Sequence, residues 1–223
     1  MATIQPVDRR APSLADAQDA RVAAHGSASH RHVAALREAT GPEASRDLAD
    51  AVHLLCAVYG RHPGLVQLAL DHCPAGIVRE WLREASEAFE RERLFLVRLT
   101  AAVGPLPSTP GSSETESLLS AQRNAIETLA MSERRGCALG ATIALVADWA
   151  AVRAVLGRAA ARMGVEVSAS TLPDGAAVAR VIESVSGDPA AERAIGFGSE
   201  QLLLQNRGLF DLLDARASAR ADH

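Results

Sequence analysis

At 223 residues, of which 48% are hydrophobic and 22% charged, the chain is long enough to bury one sizeable core and too apolar to remain disordered. A net charge of −4 argues against a nucleic-acid partner, since non-specific affinity for phosphates needs a surplus of basic side chains. Aromatic residues make up only 3%, and the apolar bulk of Ala, Leu and Val favours closely packed helices over sheets.

Residues 1–34 are polar, are interrupted by Pro6, Pro12 and Gly26, and read as a flexible segment. Ser13 and Asp16 have the spacing of a capping box, which would begin a short helix to about Ala24. No apolar run of signal-peptide type precedes it, and Cys56, Cys73 and Cys137 lack CxxC spacing, so reduced thiols in a cytoplasmic protein are expected.

Residues 35–216 are expected to form one α-helical bundle domain, followed by a polar tail over 217–223. Pro42 and Glu43 suit a helix start and Gly60 its end, which predicts a helix over 42–59. Pro63 opens a short helix to about 72, and Cys73-Pro74-Ala75-Gly76 breaks it. Over 76–103, Val78, Leu82, Ala85, Phe89, Leu96, Leu99 and Val103 form an apolar seam, with Glu92 the one polar residue in register. After the Pro105–Gly111 connection, Ser113 and Glu116 suggest a second capping box and a very long central helix to about Met163, interrupted by Gly136 and Gly140. Its seam includes Glu133, and its small residues predict a close helix crossing near Gly136 and Gly140. The most apolar window, residues 137–152, contains Asp148 and is flanked by Arg135 and Arg153, so a buried core helix is expected, not a membrane span. Asp174 and Asp188 are candidate N-caps, and separate helices are predicted over 175–185, 199–206 and 208–216.

Phosphate-binding glycine loops, HExxH, GxSxG and Cys-rich zinc patterns are missing from the sequence, and no motif specifies a cofactor. A DNA-reading role for the helix-break-helix over 63–98 is disfavoured by Glu80, Glu84, Glu87, Glu90 and Glu92, which would meet phosphates with carboxylates. His62, His72, Cys73 and Cys56 match no zinc spacing. The candidate site residues are Glu92 and Glu133, which stand on apolar seams, with the i,i+3 pair Asp50 and His53. Buried carboxylates need compensation, either from a metal or from arginines such as Arg93, Arg134 or Arg135, and the arginine solution is the expected one.

The carboxylate and histidine set faintly resembles the ferritin-like arrangement, which implies a metal pair, although that family's two Glu-x-x-His motifs are replaced by the single Asp50-x-x-His53. Leu36 to Thr40, Leu99 to Pro107 and Leu139 to Ala141 resemble fragments of the haem-oxygenase-like fold, but Ala44 stands where the resemblance implies a haem-ligating histidine. From Leu48 to Ala160 the chain resembles an uncharacterised all-helical protein family of sphingomonad-type alphaproteobacteria, and its basic residues, all Arg, fit a GC-rich bacterial genome. These readings give a protein expected to act by protein or self-association, as a homo-oligomer or with a protein partner. The alternative is a helical-bundle enzyme or binding protein with a carboxylate/His metal site or an apolar or haem-like ligand pocket.

Overall fold

Helices begin and end where the chain supplies caps and breakers. The computed structural model describes residues 13–222. These form α1 (Leu14–His25), a 3-10 turn (Ser27–Ser29), α2 (Arg31–Glu38), α3 (Gly41–Tyr59), α4 (Leu65–Asp71), α5 (Ile77–Ala102), α6 (Ser112–Ala130), α7 (Cys137–Met163), α8 (Gly175–Glu183) and α9 (Pro189–Ala221). No strand occurs among the described residues, and the fold is an all-α single domain.

Helix α7 is the hub. Leu139, Ile143, Leu145, Trp149, Val152, Val155 and Leu156 are buried around its circumference, against α3, α5 and α9. By length and composition it could cross a membrane, yet 78% of its apolar window is buried inside the fold, as expected of a core helix. Its closest neighbour is α9. A Cβ on Gly140 would stand 2.1 Å from the Ile195 carbonyl oxygen, and one on Gly198 would stand 2.0 Å from that of Cys137. The two backbones therefore touch at the crossing that the small residues foretell. Ser199 Oγ donates to the Gly140 carbonyl at 2.8 Å, and Gln18 Nε2 on α1 donates to Ser199 Oγ at 2.7 Å.

Several boundaries differ from the sequence reading. The single long helix to Met163 is two helices: α6 ends at Ala130 with Met131 as its C-cap, and Gly136, with a φ of +100°, is the N-cap from which α7 starts afresh. Gly111, not Ser113, caps α6, and without a side-chain bond. Conversely, the predicted helices over 199–206 and 208–216 are one continuous α9, which also absorbs most of the expected tail: Arg220 is buried against Asp47.

Within the stretch 1–34, the described residues form α1, the 3-10 turn and the start of α2; the first twelve residues lie outside the described ones. The Ser13–Asp16 capping box forms as expected. His30 Nδ1 accepts the His32 amide at 3.1 Å and so caps α2, leaving Nε2 to donate to Asp211 at 3.0 Å. Burial holds the His32 imidazole below its usual pKa, against the opposing pull of Asp214 and Asp47.

The crossing makes opposite demands on two α9 glycines. Gly198→Ala should lower stability by about 2 kcal/mol through overpacking, whereas Gly208→Ala, where a Cβ meets nothing within 4 Å, should raise it by about 0.5–1 kcal/mol through helix propensity. Urea midpoints of both variants check this; equal effects would mean that the helices do not touch.

Candidate functional site

The four residues singled out from the sequence lie in separate surroundings. Glu92, on α5, is 3% exposed. It accepts Trp149 Nε1 at 3.1 Å, Ser170 Oγ at 2.9 Å and Arg153 Nη1 at 2.5 Å. The compensating cation is thus Arg153 of α7, not Arg93, Arg134 or Arg135; Arg93 pairs with Glu90 one turn away. Asp50, on α3, is fully buried and held by Arg216 at 2.8 Å and Arg220 at 2.6 Å, both from the end of α9. His53, one turn along α3, spends its Nε2 on the Gly104 carbonyl at 2.8 Å. Glu133 is exposed in the α6–α7 connection, because the break before Gly136 takes it off the seam. Among the described residues no group of three or more His, Cys, Asp or Glu side chains is placed to hold a metal ion. Of the other candidates, His72 bonds the Leu68 carbonyl at the end of α4, and burial pushes the Cys73 thiol up while Arg79 opposes it.

A buried polar chain escaped the sequence reading. Asp148 of α7, 2% exposed, accepts the Ser27 amide at 2.6 Å, Ser27 Oγ at 2.5 Å and Asn206 Nδ2 at 2.8 Å. Tyr59 Oη donates to Asn206 Oδ1, and burial, aided by the Asp148 charge, raises its pKa well above the usual phenol value, so it remains a donor. Tyr59 also packs edge-on to Trp149, with ring centroids 5.4 Å apart. Every polar group in this chain serves another, which makes it a tie between α3, α7, α9 and the 3-10 turn.

One concave feature is a cleft of about 710 Å³ at the end of the bundle where α5, α7 and α9 begin. The connections α4–α5, α6–α7 and α8–α9 form its rim. Its apolar lining includes Ala69, Val78, Leu82, Ala138, Leu139 and Ile195, and Ile77 and Met131 at the rim are 62% and 47% exposed. Glu133, Arg134, Arg135 and His72 supply polar groups. Of the four predicted residues, only Glu133 belongs to it. The volume falls within the range of small-molecule sites, which are mostly apolar with a few convergent polar groups.

A family model described as "Family of unknown function (DUF6975)" matches residues 22–221. No curated protein matches the chain, and no solved structure does.

If Glu92 is a structural counter-ion, Glu92→Gln should cost about 3 kcal/mol by stranding the Arg153 guanidinium, while Glu133→Gln on the surface should change stability by less than about 0.5 kcal/mol. Chemical denaturation of both variants decides this, and equal small effects would contradict the assignment.

Proposed function

We propose that this chain, which belongs to the DUF6975 family of unknown function, works by binding rather than by catalysis, with the cleft at the start of α5, α7 and α9 as its seat. The observation that carries this reading is the division of labour among polar groups. Glu92, Asp50 and Asp148, the acids buried in the core, are engaged by side-chain and backbone donors of the fold. The apolar surface of the cleft, with Ile77 and Met131 exposed at its rim, is open to an occupant. A binding protein needs only such a preformed apolar concavity with a few polar groups to orient what enters. The free thiols and the lack of lysine support a bacterial cytoplasmic setting, which fractionation of the native host would test.

Titration with an uncharged solvatochromic dye, Nile red, tests the reading. The wild type should bind it saturably at one site per chain. Ala138→Trp, which fills the cleft, should weaken binding roughly tenfold or more with an unchanged urea midpoint. No saturable binding, or undiminished binding to the variant, would overturn the reading.

A second reading, self-association, is favoured by Phe197 and Leu204, which are 42% and 49% exposed one heptad apart on α9. Phe197 borders a groove between α6 and α9 together with Leu129 and Gln201. Light scattering should then give twice the monomer mass for the wild type and the monomer mass for Phe197→Glu; a monomeric wild type would dismiss it.

A further inference from the structure

We propose that the occupant of the cleft is a single-chain fatty carboxylate, its aliphatic chain against the Ile77, Val78, Met131 and Ala138 surface and its carboxylate at Arg134 and Arg135. This rests on the binding reading above and adds the chemical class of the ligand.

The chain end follows from the lining. Neither Phe, Tyr nor Trp contributes to the cleft. A flat aromatic ligand gains from ring faces and edges, and none are offered here. Leu, Ile, Val and Ala, with the flexible thioether of Met131 and the thiol of Cys73, form instead a surface that adapts to a bending alkyl chain.

The head follows from the charges at the rim. Arg134 and Arg135 are consecutive in the α6–α7 connection, and neither meets a carboxylate in an ion pair among the described residues. The Arg134 guanidinium lies over the Phe197 ring, 5.6 Å from its centroid. A cation–π contact with the ring uses none of the guanidinium N–H donors in a hydrogen bond to a carboxylate, so they can meet the two oxygens of one. Two acids, Glu133 and Asp188, line the same cleft; Asp188 turns Oδ1 to the Ala190 and Ala191 amides at the start of α9, at 3.0 and 3.3 Å, and neither acid is ion-paired with Arg134 or Arg135. The starts of α5 and α7, both capped by glycines without a side-chain bond, add positive potential on the same side. A neutral head would forgo the charge-assisted bonds to the two guanidiniums, and a cationic one would meet them with repulsion.

Isothermal titration of the full chain with dodecanoate, dodecanol and dodecyltrimethylammonium, each kept below its aggregation concentration, separates the possibilities. Dodecanoate should bind roughly tenfold or more tightly than the alcohol or the cation, as a charge-assisted pair of bonds provides. Arg134→Gln/Arg135→Gln, at solvent-exposed positions, should bring the acid to within about threefold of the alcohol while leaving alcohol affinity unchanged. Methyl resonances of Ile77, Met131 and Ile195 should shift with each binding ligand. Equal affinity for acid and alcohol in the wild type would overturn the carboxylate assignment and leave the cleft reading standing. Failure of all three amphiphiles to bind would overturn the aliphatic class, and with a negative Nile red titration it would overturn the cleft reading as well.

Discussion

The contact between the α7 and α9 backbones is the constraint on which the rest of the molecule depends. At Gly140 and Gly198 the carbonyl oxygens of Ile195 and Cys137 occupy the space that any side chain would need. Close approach lets Ser199 bond a backbone carbonyl across the interface, and through Gln18 that bond positions α1. Farther along the same pair of helices, Asn206 reaches Asp148, and Asp148 in turn fastens the 3-10 turn through Ser27. The cleft is the mouth of this crossing, since Gly136, Ala138, Ala191 and Ile195 from the two helix starts all line it.

Charge is handled in the interior by three different solutions. Glu92 and Arg153 join α5 to α7, with Trp149 and Ser170 taking remaining lone pairs of the carboxylate. Asp50 and Asp47 join α3 to Arg216 and Arg220 near the end of α9. Asp148 relies on N–H and O–H donors. Buried ion pairs contribute little net stability once desolvation is counted, but separating one partner from the other is costly. Their effect here is to select which helices meet and in what register, within a core of Ala, Leu and Val that packs without strong directional preference.

Much of the architecture was legible because helical period and punctuation agree: α3, α4, α5 and α8 begin and end within a few residues of their Pro, Gly and Asp signals. Glu92 was legible as an anomaly because the seam around it is regular, but Arg153 lies 61 positions away and nothing local marks it. Glu133 was misplaced because the seam of α6 was extended past Ala130, where the helix ends. Gly208 misled in the other direction: it faces open space within an unbroken helix. Asp148 looked like an interruption of an apolar window, since its donors come from Ser27 and Asn206, both remote in sequence. The cleft was not legible at all, because it is assembled from three connections that only the fold brings together.

Native-state hydrogen exchange across α7 and α9 tests the central claim most directly. If the glycine crossing is the last element to separate, amides within 139–146 and 199–206 should exchange only with the free energy of global unfolding measured by urea denaturation, while those of the α4–α5 and α6–α7 connections exchange through smaller openings. Exchange of the crossing amides by openings well below the global free energy, with α3 or α5 better protected, would contradict it.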